Sequence, residues 1–262
     1  HAQTNNLFYQ DYYREQGFNV SKLKNFDDLK EIPIVSKAIL RERKSDWLMP
    51  NKNAIISNTG GTSGSPLSFL IDKGQLAKEK FYLDMIFSKI NCFPSSSRLS
   101  FRGINALSED FCGYHPETDS YILNAYTSYE DMENVLEEIF ISKEISFLHG
   151  YPSSIYQFTK FLQETDNMKL KDAIKRKIKG ILYGSEYPAP VYRKTIESFF
   201  KIPSISWYGH SEKVILASEE LDQPYVFKPF HSYGWAESIK NEVGADSLIG
   251  RNFSYYNSQF IR

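Results

Sequence analysis

The chain has 262 residues, with 31 basic and 32 acidic side chains, so its formal net charge is −1. This balance excludes a broadly cationic nucleic-acid-binding surface, because phosphate contacts require an excess of Lys and Arg. With 41% hydrophobic and 24% charged residues, the chain has enough apolar side chains for a core and lacks the composition of a disordered protein.

Two cysteines, Cys92 and Cys112, are too few for a disulfide framework or a four-cysteine zinc site. No apolar stretch approaches the roughly 18–20 residues that span a bilayer. The polar first residues lack the basic and apolar regions of a signal peptide. A cytoplasmic protein without a membrane span is therefore expected.

Residues 1–50 predict a charged, helical lead-in, and residues 51–262 predict one α/β domain. Ser36 is suited to cap a helix over 37–43, because its side-chain oxygen can accept a hydrogen bond from the first turn. The spacing of Asp72 and Gln75 is similar to a capping box. It predicts a helix with apolar positions Ala77, Phe81, Met85 and Ile86.

From residue 98 onward, short apolar runs alternate with segments of helical periodicity. The runs cover 98–101, 121–123, 145–148, 181–183 and 205–208, and helices are predicted after Ser128 and Asp131, over 153–165 and over 189–200. This alternation predicts right-handed crossovers and parallel-rich sheets flanked by helices. Ligands of such sheets bind beyond the carboxyl ends of the strands.

The segment 57–66 reads SNTGGTSGSP and lies between the apolar run 54–56 and a β-like run at 67–71. Small residues allow a ligand to approach the backbone, and successive N–H groups with hydroxyl side chains form a concave anion receptor. A phosphate-binding loop is one interpretation, although the Gly-Lys-Ser/Thr of a Walker loop is missing. A hairpin turn made of turn-forming residues is the other.

Three successive predicted strands end at a glycine with polar or aromatic neighbours. These ends read HGYP at 149–152, GSE at 184–186 and GHSE at 209–212. Tyr208 can stack on a planar base, Ser211 can donate to a phosphate, and Glu212 is a hard oxygen ligand suited to Mg²⁺. Each residue alone is more typical of a surface or packing position.

Several other kinds of site are disfavoured. No G-x-S-x-G elbow surrounds Ser185 or Ser211, which argues against a serine hydrolase. His115, His149 and His231 have no partner at metal-ligand spacing. The basic stretch 169–179 fits a solvated helix face.

The order of these motifs resembles the adenylate-forming (ANL) superfamily of acyl-CoA synthetases, aryl-CoA ligases and luciferases. TGGTSGSP at 59–66 is similar to its phosphate loop, and HGYPS at 149–153, LYGSE at 182–186 and WYGHSE at 207–212 resemble its phenylacetate-CoA ligase branch. That branch includes CapK-like proteins encoded with capsular polysaccharide genes. Residues 12–14, 26–29, 32–37 and 260–262 also resemble the branch, so the resemblance spans nearly the whole chain.

The resemblance implies the large N-terminal domain of the adenylate-forming fold and a reaction that uses ATP and Mg²⁺. A carboxylate attacks the α-phosphate of ATP to give an acyl-adenylate and pyrophosphate, and a thiol, usually coenzyme A, then takes the acyl group. By the same resemblance, Ser211 and Glu212 are catalytic, Glu212 is also the metal ligand, and His149 and Tyr151 bind the acid. Nucleotide contacts are assigned to Thr59, Gly61, Thr62, Ser63, Gly64, Gly184, Ser185, Glu186, Tyr208 and Gly209.

Two features depart from the superfamily pattern. Ser65 stands where many members have Lys, and the sequence stops at Arg262, so the mobile C-terminal domain with its catalytic Lys is expected to be absent. Activation of an aryl or other acyl acid, a role in capsular polysaccharide synthesis and a homodimer are further expectations. The alternatives are a catalytically degenerate homologue that acts as a binding or scaffold protein, and a plain α/β domain for another nucleotide.

Overall fold

The computed structural model describes residues 6–43, 53–58, 67–102, 112–124, 128–240, 244 and 246–251. The chain divides into two compact units. The first unit comprises His1–Phe81, Gly209–Ala217 and Pro229–Arg262, and the second comprises Tyr82–Tyr208 and Ser218–Lys228. The predicted division at residue 50 stays a prediction. In the described part of the chain, no helix combines the length and the apolar character that crossing a membrane requires.

The described residues contain seven α-helices and twelve strands. The helices are α1 (Leu7–Glu15), α2 (Lys37–Glu42), α3 (Lys73–Ser88), α4 (Glu133–Ser142), α5 (Pro152–Glu164), α6 (Met168–Lys177) and α7 (Pro190–Phe200). The strands are β1 (Ala54–Asn58), β2 (Ser68–Asp72), β3 (Arg98–Arg102), β4 (Cys112–His115), β5 (Ser120–Asn124), β6 (Phe147–Gly150), β7 (Gly180–Tyr183), β8 (Ser204–Gly209), β9 (Leu216–Glu220), β10 (Gln223–Pro229), β11 (Trp235–Lys240) and β12 (Asp246–Arg251). Short 3-10 helices cover Val20–Lys22, Phe26–Glu31 and Pro116–Thr118.

The first unit is built on a core of aromatic and aliphatic side chains. Helix α1 buries Phe8, Tyr9, Tyr12 and Tyr13, because spacings of one and four residues fall on one helical face. These rings cluster with side chains that include Phe69, Ile71, Val214, Ile215 and Ile249. Burying each such side chain contributes about 1.5–3 kcal/mol.

The remaining described elements of the first unit are short. The Ser36 hydroxyl oxygen accepts a hydrogen bond from the Ile39 N–H at 3.3 Å, so the predicted N-cap of α2 is confirmed. Strand β1 pairs with β2, and β11 pairs with β12, both in antiparallel fashion. Asn58 lies opposite Ser68, so the glycine-rich segment joins two neighbouring antiparallel strands.

The second unit contains an eight-stranded sheet in the order β10-β9-β8-β7-β6-β3-β5-β4. Strands β5, β3, β6, β7 and β8 are parallel to one another, and β4 runs antiparallel to β5. The predicted parallel-rich α/β sheet is therefore confirmed. On one face of the sheet, Leu99, Phe101 and Ile181 pack into the cluster that also contains Phe158, Leu162, Ile174 and Ile196.

The predicted basic helix face is also confirmed. Helix α6 buries Leu170, Ala173 and Ile174 and carries Lys175, Arg176 and Lys177 in its last turn, where positive charge is favourable near the helix C-terminus.

Helix α3 corrects two sequence-based expectations. Its predicted apolar face is wrong, because Ala77, Phe81 (62% exposed) and Met85 are exposed, and Ile86 alone of the predicted set is buried. Tertiary packing instead buries a face that includes polar Gln75 and Glu79. The predicted capping box is not seen, since the Asp72 carboxylate accepts its hydrogen bond from the Gly74 N–H at 2.8 Å.

The start of α4 differs from the predicted one in a similar way. Helix α4 begins at Glu133, and Met132 occupies its N-cap position without a side-chain hydrogen bond. The Ser128 hydroxyl donates instead to the Glu130 carboxylate at 2.6 Å. The Ser128 hydroxyl therefore makes a local hydrogen bond in the segment that precedes α4.

Candidate functional site

The carboxyl ends of the parallel strands define one edge of the sheet in the second unit. The strand register aligns Arg102 with Asn124, and Gly150 with Tyr183, so these strands finish side by side. The predicted site residues of the second unit are brought together along this edge: they are His149, Tyr151, Gly184, Ser185, Glu186 and Tyr208. This is the edge at which open α/β sheets bind ligands.

Two glycines at this edge are required by close packing. The Gly184 N–H donates a hydrogen bond to the Gly150 carbonyl oxygen at 3.0 Å. A Cβ atom at Gly150 would lie 2.6 Å from the Phe101 carbonyl oxygen, and one at Gly184 would lie 2.8 Å from the Trp207 Nε1. Gly184 therefore has a packing reason to be glycine, apart from its predicted place beside the nucleotide.

Glu186 links the loop after β7 to helix α5. Its carboxylate accepts a hydrogen bond from the Ser153 N–H at 2.9 Å. Tyr151 is the N-cap residue of α5 and makes no side-chain cap, so Glu186 supplies an acceptor to the first turn. A carboxylate is favourable at a helix N-terminus because it faces the positive end of the dipole.

Tyr208 lies at the end of β8 and is 39% exposed. Strand β8 is held from within the unit by a buried network around Arg193, whose guanidinium donates to Glu197, Glu219 and Ser204. Glu219 also accepts a hydrogen bond from the Ser206 N–H at 3.0 Å. The ring of Tyr208 thus projects from a fixed strand, and no sequence motif indicated this network.

His149 is half-buried on β6, and its ring meets Phe87 edge-to-face at 5.5 Å between centroids. Burial lowers the pKa of His149 to about 3, and the positive charges of Arg98 and Arg102 act in the same direction. The imidazole is therefore neutral near pH 7, with one ring nitrogen as donor and the other as acceptor.

The sequence analysis missed Arg102 and Asn124 at this edge. Both are the last residues of parallel strands, so they satisfy the criterion that selected the other candidates. No glycine follows these two strands, whereas a glycine marks each strand end that was predicted to contribute to the site.

In the first unit, residues 209–213 form a tight turn. The Lys213 N–H donates to the His210 carbonyl oxygen at 3.0 Å, and Lys213 has a left-handed φ of 56°. The Lys213 ammonium forms an ion pair with Glu79 at 2.7 Å, which anchors the turn. Ser211 is exposed, whereas Glu212 is only 3% exposed.

Among the described residues, no group of three or more His, Cys, Asp or Glu side chains is placed to hold a metal ion. The phosphate-loop candidates Thr59, Gly61, Thr62, Ser63 and Gly64, together with Ser65 and the segment 260–262, lie outside the described residues.

No family model matches the sequence, and no curated protein matches it. Among solved structures, the chain is similar to an open conformation of 2-hydroxyisobutyryl-CoA ligase in complex with 2-HIB-AMP and CoA. The TM-score is 0.73 at 16% identity, covering 100% of this chain and 64% of that chain. The same ligase with 2-HIB-AMP and CoA in its thioesterification state gives 0.73 at 15% identity, covering 100% and 58%. Its postadenylation state with 2-HIB-AMP gives 0.72 at 15% identity, with the same coverage.

These comparisons establish the fold. The predicted α/β fold of a large ligase domain is confirmed, since all of this chain superimposes on part of a CoA ligase. The chain spans about three fifths of the length of the ligase chains that it matches.

Proposed function

We propose that the chain is the nucleotide- and acid-binding part of an adenylate-forming ligase. The reaction is ATP-dependent activation of a carboxylic acid through an acyl-adenylate, followed by transfer to coenzyme A. The observation that carries this proposal is the fold shared over the whole chain with a ligase whose structure contains 2-HIB-AMP and CoA. The ordered motifs at the strand ends support it independently.

The nucleotide contacts are proposed from the sequence motifs, and the solvent exposure of Tyr208 and Ser211 supports them. The ring of Tyr208, at 39% exposure, offers a face on which adenine stacks, and Gly184, Ser185 and Glu186 border the base. Ser211 is exposed and donates to the α-phosphate. The β- and γ-phosphates are assigned to Thr59, Gly61, Thr62, Ser63 and Gly64, and Gly209 lies beside the nucleotide.

Glu212 fits the role of a Mg²⁺ ligand. Its carboxylate is a hard oxygen ligand of the kind that Mg²⁺ prefers, and it directly follows Ser211, the residue proposed to contact the α-phosphate. Mg²⁺ is commonly held by one or two carboxylates together with substrate phosphates, so a larger cluster of protein ligands is not required. When bound, the ion neutralises phosphate charge and thereby lets an anionic carboxylate approach.

His149 and Tyr151 are proposed to bind the acid. Because the imidazole of His149 is neutral, it can orient a carboxylate through a hydrogen bond. Membership of the phenylacetate-CoA ligase branch with its CapK-like proteins, an aryl or acyl acid, a role in capsular polysaccharide synthesis, a cytoplasmic location and a homodimer are proposals that rest on the sequence resemblance.

Isothermal titration of the chain with Mg-ATP and with an acyl-sulfamoyl-adenosine tests the proposal. Both ligands are expected to bind, and Tyr208→Ala is expected to weaken binding about 5- to 150-fold, the loss of one stacked base worth about 1–3 kcal/mol. Tyr114→Ala is the matched control, because Tyr114 is an exposed ring on the edge strand β4. Absence of binding of both ligands at millimolar concentration would overturn the proposal.

A pyrophosphate-release assay separates the two forms of the hypothesis. Release that depends on an added acid, in the chain or in a longer form of the protein that carries further residues, supports the ligase. Nucleotide binding without release in either form supports the catalytically degenerate homologue instead.

A further inference from the structure

One face of β3 carries positive charge. Side chains alternate along a strand, so Arg98, Ser100 and Arg102 lie on the face opposite Leu99 and Phe101, which belong to the core. Arg98 is 8% exposed and Ser100 is buried, whereas Arg102 is exposed at the carboxyl end. We call Arg98, Ser100 and Arg102 the charged face of β3.

Neighbouring strands add hydrogen-bonding side chains to the charged face of β3. The parallel register aligns Ser100 with His149 on β6, and Arg102 with Asn124 on β5. Adjacent strands are about 4.8 Å apart, so these pairs are direct neighbours. Both guanidinium groups act on the pKa of His149, which indicates that the imidazole lies within their electrostatic reach.

The positive charge of this face has no acidic partner within the described residues. Arg98 donates to the Phe93 carbonyl oxygen at 3.3 Å and lies 5.4 Å from the centre of the Phe87 ring. Its buried Nε has no hydrogen-bond partner among the residues that the structure describes. The ion pairs of the second unit in the described residues involve Lys89, Lys160, Lys177, Arg193 and Lys228.

Arg193 provides a comparison, because it is a buried guanidinium with a structural role in the same unit. It is paired with both Glu197 and Glu219. Arg98 begins β3 at its amino end, so only Arg102 reaches the carboxyl end where a ligand would bind. Unlike Arg193, Arg102 is exposed and has no carboxylate partner among the described residues, which makes it suited to an anionic ligand.

We propose that Arg102, at the carboxyl end of the charged face of β3, binds an anionic group that the acid carries in addition to the carboxylate that is activated. The substrate class is then dicarboxylic acids or acids with a comparable second anion. This inference rests on the proposed function, which brings an acid to the edge formed by His149 and Tyr151. Arg102 offers the planar fork that pairs with a carboxylate through two hydrogen bonds, and Asn124 and neutral His149 add polar partners.

The second anion is a better occupant of this face than the reacting carboxylate. A carboxylate paired with guanidinium groups is stabilised as an anion, and that stabilisation lowers its reactivity toward the α-phosphate. A spectator anion gains binding energy from the same pairing without this penalty.

Matched acids test the inference by isothermal titration of the chain, with and without Mg-ATP. The probes are butanedioate against butanoate, hexanedioate against hexanoate, and benzene-1,4-dicarboxylate against benzoate. In at least one pair the dianion is expected to bind 10-fold or more tightly. Arg102→Gln is expected to lower the affinity for the dianion to that of the matching monoanion, and Arg102→Lys to keep part of the preference. Arg176→Gln, an exposed position on α6, is the charge-matched control.

Equal affinity within all three pairs overturns the inference. So does an Arg102→Gln variant that weakens monoanion and dianion equally, because this face would then hold the reacting carboxylate. Loss of ATP binding in Arg102→Gln also overturns it, since the arginine would then serve the nucleotide. If the unsubstituted chain shows an Arg102-dependent preference for the dianion but binds no nucleotide, the proposed function fails while the anion site stands.

Discussion

The carboxylate of Glu186 accepts a hydrogen bond from the backbone N–H of Ser153 at 2.9 Å, although 33 positions separate the two residues. This contact ties the loop after β7 to the first turn of α5. The residue predicted to border adenine therefore has a structural partner of its own.

We expect Glu186→Ala to lower the free energy of unfolding by about 0.5–1 kcal/mol, because it removes the acceptor for an N–H in the first turn. Glu164→Ala is the control on the same helix. Glu164 forms an exposed pair with Lys160, and such pairs contribute about 0.3–0.5 kcal/mol. Urea denaturation measures both variants, and a Glu186 variant as stable as the unsubstituted chain would contradict the capping role.

Gly150→Ala is expected to destabilise the sheet by more than about 1 kcal/mol, since the added methyl group meets the Phe101 carbonyl oxygen at 2.6 Å. Gly113→Ala is its control on β4, because in the described part of the chain no atom lies within 4 Å of a Cβ at Gly113. That variant is expected to be neutral or slightly stabilising. Thermal unfolding compares the two. Equal melting temperatures would mean that the strands at the carboxyl edge can separate without cost.

The sequence could predict the parallel core of the sheet, because short runs such as 181–183 are continuously apolar, as expected for strands buried on both faces. Strand β10 was missed for the opposite reason. Its residues alternate between half-buried and exposed positions, and its apolar run at 225–227 is flanked by Pro224, Lys228 and Pro229.

Part of the candidate site could also be predicted, because glycines mark the ends of β6 and β8 and the start of the loop after β7. Arg102 and Glu219 could not be found in this way, since their importance comes from partners on other strands. The apolar face of α3 failed for the same physical reason, because helical spacing selects a face but tertiary packing decides which face is buried. The predicted phosphate loop stays a prediction.

Glu219→Gln is expected to lower the free energy of unfolding by about 3–5 kcal/mol, because it leaves the buried guanidinium of Arg193 with less negative charge. Glu220→Gln, one residue along the same strand, is the control. Its partners Lys89 and Lys228 are partly exposed, so a change below about 1 kcal/mol is expected. Urea denaturation followed by circular dichroism gives both values, and similar losses for the two variants would argue against a structural network around Arg193.

Removing the imidazole of His149 is expected to change how stability depends on pH. The pKa of His149 is about 3 in the folded chain and about 6.5 when the chain is unfolded. The unfolded state therefore binds more protons between these values, and stability that is fully present above pH 6.5 is lost as the pH falls toward 3. The loss approaches about 1.4 kcal/mol per pH unit.

In His149→Gln this contribution is absent. Urea denaturation at pH 7, 6 and 5 should therefore show the difference in free energy of unfolding between the two proteins shifting in favour of the variant as the pH falls. A constant difference between His149→Gln and the unsubstituted chain over this range would show that the ring is not held neutral.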